Sequence, residues 1–276
     1  MLLAGQVALV SGIGPGLGRS IALALAREGA DVVLAARTAT ALDAVAAEVE
    51  AVGRRALAVP TDLAQPEQCR RLVEKAHAAF GRIDVLVNNA FRSGPYDAVD
   101  ASRLEDWHAV FDVNVFGTLA LSQAVIPFMK TAGRGSIVMI NSMSMRIIEP
   151  HFGSYAASKG ALLTAAQTMA KELGTSGIRV NSVVPGYIWG PALERYFADL
   201  ARQRGTTPAA VYAEVASRTA LGRIPTSDDV AAAVVFFASD LSRAVTGQAL
   251  DVNAGHYFHL SLARSRTHGR AGPSFA

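Results

Sequence analysis

Seven apolar runs set the strongest limit on what this chain can fold into. They are QVALVS (6–11), ADVVLAA (30–36), RALAVP (55–60), IDVLVNN (83–89), GSIVMIN (135–141), IRVNSVV (178–184) and QALDVN (248–253). They are rich in valine, isoleucine and leucine and do not alternate with polar residues. A strand with one wet face alternates; a strand covered on both faces does not. The runs therefore predict a parallel sheet buried on both sides. Helical stretches lie between them. LGRSIALALAREG and ATALDAVAAEVEAVG each end at a glycine that suits a helix C-terminus. Strand–helix alternation predicts a doubly wound α/β sheet of about seven strands with helices on both faces. No linker, repeat or low-complexity segment divides it. One long departure, at 187–222, follows the sixth run and reads as two helices inserted as a small cap. The expected organisation is one domain over 1–256 and a tail over 257–276.

With 276 residues, 51% of them hydrophobic, the chain can fill one core near the upper size for a single domain. Its formal net charge is only +3. Arg264, Arg266 and Arg270 fall in the tail, where a solvated or docked segment explains them better than nucleic acid does. Cys69 is the only cysteine, so no intrachain disulfide can form, which fits a reducing compartment. MLLAGQVALVSG runs straight into the first strand without the regions of a signal peptide. No apolar run approaches the ~18 residues a membrane span needs. These features predict a cytoplasmic protein with neither nucleic-acid nor membrane partners, and no motif calls for a metal.

The first turn, SGIGPGLG (11–18), joins the first strand to the first helix. Gly12, Gly16 and Gly18 stand at G-x-x-x-G-x-G spacing, with Gly14 and Leu17 between them. Glycine lets the backbone approach a phosphate, and the helix N-terminus offers free N–H groups and partial positive charge. A turn in this context predicts dinucleotide binding on a Rossmann-type fold. Where the second strand ends, NAD-binding chains place an acid for the ribose. This chain has Ala36 and then Arg37. An arginine there can pair with a 2′-phosphate, which favours NADP(H) over NAD(H). The rival reading is an arginine that stacks on adenine.

Tyr155 and Lys159 lie four apart in GSYAASKGAL, so on a helix starting near Ser154 as N-cap they share a face. A free tyrosine, with a pKa near ~10, is a poor base at neutral pH. A neighbouring ammonium favours the phenolate and is expected to lower that pKa. The pair reads as a tuned proton donor and acceptor. Ala156, Ala157, Ser158 and Gly160 keep the surroundings small.

Further motifs agree in order and spacing: DL at 62–63, NNA at 88–90, Asn114, Ser142, YAASK at 155–159 and PG at 185–186. With the glycine turn, they make the chain resemble the short-chain dehydrogenase/reductase family over residues 5–255. The resemblance implies that Ser142 orients the substrate oxygen and Tyr155 moves the proton. It implies that Lys159 holds the nicotinamide ribose and that Asn114 holds a relay water. Asp62 and Leu63 would contact adenine, and Asn89 and Ala90 the adenosine half. Pro185, Gly186 and Ile188 would line the nicotinamide side, while Asn88 ties the central strands. The resemblance also suggests a homotetramer, or a homodimer; the apolar surfaces of 109–129 and 154–174 point to subunits packing there. Five positions depart from the family pattern: Ser11 for threonine, Phe91 for glycine, Gly190 for threonine, and Asn253 and Ala254 in VNAG (252–255) for VDGG.

The expected reaction is hydride transfer between nicotinamide and a secondary alcohol or ketone. Ser93, Gly94, Met143, Met145, His151, Tyr187 and Trp189 are the expected pocket residues, which predicts a mainly hydrophobic small-molecule substrate. The alternatives are an NAD-dependent epimerase or dehydratase, which would need a larger substrate domain, and a non-catalytic cofactor-binding scaffold. In the tail, HYFHL (256–260) is expected to dock on a neighbour.

Overall fold

A computed structural model describes residues 1–258. Each of the seven apolar runs forms a strand: β1 Val7–Ser11, β2 Asp31–Ala36, β3 Ala56–Pro60, β4 Val85–Asn88, β5 Gly135–Ile140, β6 Ile178–Pro185 and β7 Ala249–Val252. All pair in parallel, in the order β3-β2-β1-β4-β5-β6-β7. The strand order reverses between β1 and β4, and the loops leaving their carboxyl ends therefore open a crevice there.

Helices cover both faces. On one face α1 (Leu17–Arg27), α2 (Ala39–Ala51) and α9 (Ser227–Ala238) bury Ile21, Leu25, Leu42, Val234 and Phe237 against Val10, Leu34 and Val138. On the other, α3 (Pro66–Phe80), α5 (Thr118–Ala132) and α6 (Gly153–Leu173) bury Leu72, Leu121, Val125 and Leu162 against Leu9, Leu86 and Met139. Each aliphatic side chain fully removed from water contributes roughly 1.5–3 kcal/mol before entropy is counted. Gly29 and Gly53, which follow α1 and α2, take the left-handed conformation at φ +97° and +81°.

Helix α4 (Leu104–Phe111) runs through a π-helical turn, Asp112–Gly117, into α5. The continuous helix Leu104–Ala132 is long and apolar enough to cross a membrane by length and composition. That corrects the expectation drawn from unbroken apolar runs: isolated polar residues interrupt the run but leave its mean hydropathy high. Leu121, Val125 and Met129 are fully buried in the core of this fold. Helix α6 begins at Gly153 with Phe152 as its N-cap, so Ser154 lies inside the first turn rather than capping it.

The departure after β6 forms α7 (Pro191–Arg204) and α8 (Pro208–Ser217). Phe197, Ala201, Val211, Val215 and Ile224 make their own small core, closed by Trp189 and Tyr212. A cavity of about 390 Å³ lies at the opposite, amino end of the strands, lined in part by Arg134, Arg179 and Arg243. Arg179 there donates to the carbonyls of Phe237 and Ser239, at the C-terminus of α9, so the cavity is far from the crevice and its buried cation is already satisfied. Apart from Tyr257 and Phe258, the expected tail lies outside the described residues, as do the last two residues of HYFHL.

Candidate active site

The turn after β1 and the turn after β4 are fitted to each other. Gly12 has φ +78°, and a Cβ there would stand 2.5 Å from the Ala90 backbone. A Cβ on Gly18 would stand 2.3 Å from the Gly12 carbonyl oxygen. The Asn89 Nδ2 donates to that carbonyl at 2.7 Å. The Ser11 hydroxyl accepts from the backbone N–H of Asn89 (3.2 Å) and of Ala90 (3.4 Å). Serine thus supplies everything this clamp needs from the usual threonine.

Gly14 and Gly16 behave differently: a Cβ on either would meet nothing within 4 Å. Gly16 is the N-cap of α1, which has no side-chain cap and no acid in its first turn. A dinucleotide pyrophosphate fits such a cradle, with free N–H groups and a positive helix end beside open space. Leu17 is the first residue of that helix.

Arg37 is exposed just past β2 and makes no ion pair or side-chain hydrogen bond among the described residues. Asp62 is tied into its own turn: its Oδ1 accepts from Ala64 N–H, and its N–H donates to Gln68 Oε1. Leu63 is buried, and its carbonyl oxygen would lie 2.4 Å from a Cβ on Gly117. Asn88 donates to the Ser122 hydroxyl and the Met139 sulfur, bracing β4 against α5 and β5 as expected.

Around Tyr155 the polar groups interlock. Asn114 is fully buried in the π-helical turn. Its Oδ1 accepts from Arg92 N–H (2.7 Å), and its Nδ2 donates to the Arg92 carbonyl (3.0 Å) and the Ser158 hydroxyl (2.9 Å). Ser158 in turn donates to the Tyr155 carbonyl at 2.7 Å. Both Asn114 side-chain donors are therefore spent on protein, and a relay water would have to use the backbone. Ser142 lies just past β5, and its hydroxyl accepts from the Ser144 N–H (3.2 Å) and hydroxyl (3.0 Å). The sequence signals for these two supports are the S-x-S spacing after β5, for Ser144, and the serine inside YAASK, where Ser158 reads only as a small residue.

Lys159 is 2% exposed. Its Nζ donates to the Ile140 carbonyl at 2.7 Å and lies 5.6 Å from the centre of the Tyr155 ring. Burial pushes the lysine down to about 7. Burial also pushes Tyr155 up to about 12, while a hydrogen bond with Ser142 pulls the other way. This reverses the expected lowering of the tyrosine. Desolvation disfavours both charged forms, and the lysine, which donates to the Ile140 carbonyl, does not offset it for the phenol. The phenol of the chain by itself is a firmly held proton donor.

Pro185 ends β6, and Gly186 N–H donates to the Val252 carbonyl at 3.4 Å. A Cβ on Gly186 would crowd Asn253 at 3.1 Å and Met143 at 3.5 Å. Ile188 packs half-buried on the core beneath, and Gly190 is the N-cap of α7 without a side-chain cap. Two expected pocket residues also pack against other elements. Gly94 faces Val110 and Ser154, where a Cβ would lie 2.8 Å and 3.1 Å away. Trp189 closes the cap core against Tyr212, ring centres 4.6 Å apart. Phe91 stands beside Tyr155: the two rings meet edge-on at 6.1 Å.

A parallel sheet in this order, a glycine cradle at its switch point and a serine, tyrosine and lysine on the next crossover define a dinucleotide-dependent oxidoreductase. Residues 12–257 match the family profile described as enoyl-(acyl carrier protein) reductase, and the chain belongs to the short-chain dehydrogenase/reductase family, which binds a nicotinamide cofactor. It is similar to the 3-oxoacyl-acyl-carrier-protein reductase FabG of Thermotoga maritima, 35% identical over 92% of this chain and 99% of the relative. It is similar to the L-rhamnose 1-dehydrogenase (NAD(P)(+)) of a Sphingomonas species, 36% identical over 94% of this chain and 99% of the relative. Among solved structures it resembles carveol dehydrogenase from Mycobacterium avium in complex with NAD, with a TM-score of 0.87 and 29% identity over 92% of this chain and 98% of the other.

Proposed function

We propose that the chain transfers a hydride between NADP(H) and the carbinol or carbonyl carbon of a mainly hydrophobic alcohol or ketone, with Tyr155 as general acid and base. The observation that carries this reading is Lys159, a fully buried cation-former held beneath the Tyr155 ring at the carboxyl end of the sheet. A core that needed only packing would place an apolar residue there. The nicotinamide, when bound, supplies or accepts the hydride.

The chain's own residues do the rest. Gly14, Gly16, Leu17 and the free N–H groups of α1 hold the pyrophosphate, with Gly12 and Gly18 giving the turn its shape. Asn89 and Ala90 line the adenosine half, Asp62 and Leu63 the adenine, and Pro185, Gly186 and Ile188 the nicotinamide. Arg37 pairs with the 2′-phosphate. Ser142, its hydroxyl fixed by Ser144, donates to the substrate oxygen. Tyr155, which stands protonated at neutral pH, gives its proton to that oxygen when a ketone is reduced and takes it back when an alcohol is oxidised. Asn114 ties the π-helical turn and the loop after β4 to Ser158 and so fixes where Tyr155 sits.

The cap α7–α8 closes over the substrate. Exposed Leu104 and Phe116 on the long helix fit subunit packing in a homotetramer or homodimer. A single buried cysteine fits a cytoplasmic enzyme. Titration with NADPH and NADH, followed by cofactor fluorescence, tests the reading. Tighter NADPH binding, weakened about tenfold or more by Arg37→Asp, is expected, since charge-assisted pairs are strong. Preference for NADH would remove Arg37 as the phosphate reader, and binding of neither would remove the enzyme reading.

A further inference from the structure

Phe91 stands where the resemblance expects glycine, and its ring is 61% exposed. It meets Tyr155 edge-on, with planes at 70°. Phe152, the N-cap of α6, packs on Tyr155 with ring centres 4.7 Å apart. Tyr96 stacks on Phe152 at 5.2 Å with planes 1° apart, and is itself 65% exposed. Two separate segments, the loop after β4 and the start of α6, thus bring three rings around the phenol.

Exposed large rings gathered in one place are rare on a surface that serves only solubility, and they mark binding sites. A third segment adds another exposed ring. Tyr187, from the loop after β6, is half exposed and stacks with His256 at 6.1 Å.

We propose that Phe91, Tyr96 and Phe152 form a substrate subsite that selects ketones and secondary alcohols bearing a flat apolar ring directly on the reacting carbon. The proposal rests on the hydride-transfer reading above. A flat ring can lie against the exposed rings of Phe91 and Tyr96, which Phe152 backs, while its carbonyl reaches Ser142 and Tyr155. A polyol there would lose water to ring faces that return few hydrogen bonds. A flexible alkyl chain would bury similar area but make no ring-to-ring contacts and lose more rotamer freedom.

The test compares acetophenone with 2-octanone, which have equal carbon counts, using whichever of NADPH or NADH the protein binds. The wild type should show kcat/KM for acetophenone higher by about tenfold or more, from one or two ring contacts. Phe91→Ala should bring the ratio close to one, chiefly through KM, and Phe91→Leu should fall between. Equal kcat/KM in the wild type, or a preference that survives Phe91→Ala, overturns the subsite. A protein that reduces neither ketone but does reduce a 3-oxoacyl thioester or a ketose also overturns the subsite and leaves hydride transfer standing. One that binds cofactor and reduces none of these overturns both.

Discussion

A Cβ on Gly18, in the turn after β1, would stand 2.3 Å from a backbone oxygen; a Cβ on Gly190, at the start of the cap, would meet nothing within 4 Å. The two glycines mark two kinds of construction. Around the turn, Ser11, Asn88, Asn89 and Asn114 are buried and their hydrogen bonds tie separate loops into one piece. The cap is held by one small apolar core and by ion pairs at its surface, such as Arg204 with Glu214. Exposed pairs contribute little. The cofactor end of the crevice is therefore over-determined, and the substrate end is free to change. Such a division lets one family keep its chemistry while its members differ in substrate.

The contrast can be broken most severely at Gly18. Gly18→Ala should cost about 3 kcal/mol or more in urea unfolding, because the neighbouring atoms are backbone and cannot step aside. A cost under 1 kcal/mol would mean that the turn is looser than its geometry.

The next effect is on pH. Burial holds Lys159 at about 7, below its ordinary 10.5. Between those values the unfolded chain carries a proton that the folded chain has lost, so stability should rise with pH across that window. Tyr155, raised from 10.0 to about 12, acts the other way above pH 10: the folded chain keeps its proton longer, and stability should fall. Melting curves of cofactor-free protein should show the rise, and Lys159→Met should flatten it.

Smaller effects come from the cap side. Ala254 sits at φ +56°, where the family pattern has glycine. Ala254→Gly should stabilise the chain by about 0.5–1 kcal/mol, the left-handed strain less the freedom gained by the unfolded state. Gly190→Thr adds a cap to α7 in open space and should add only roughly a few tenths of a kcal/mol. A large change from either would show the cap to be as tightly specified as the turn.

The same contrast governs what could be read from the sequence. All seven strands were legible because strands buried on both faces leave unbroken apolar runs, and the glycine turn because close backbone approach admits no other residue. The Tyr155–Lys159 pairing followed from helical spacing. The direction of their pKa shifts did not, because depth of burial depends on how the loops after β4 and β5 fold over the pair. Ser144 and Ser158 act through hydrogen bonds to Ser142 and to the Tyr155 backbone, and the spacings that carry such support, S-x-S and a serine inside YAASK, are too short to be distinctive. In the cap, the packing of half-buried Trp189 on Tyr212 was not legible, since an aromatic near a cleft and one under a helix look alike in sequence. Nor was the close fit of Gly94 against Val110 and Ser154, which come from two helices.

The measurement that bears most directly on the account is Tyr155→Phe, read as two numbers on one sample: turnover of a reduced ketone and affinity for the cofactor. Loss of the hydroxyl alone should lower kcat by about 10²–10⁴-fold, the usual range for a positioned proton donor. Cofactor affinity should stay within about twofold, because Lys159 keeps its place on the Ile140 carbonyl without the phenol. Turnover that survives would remove Tyr155 from the chemistry, and cofactor affinity that falls with turnover would make the tyrosine part of the binding site's structure rather than the proton donor.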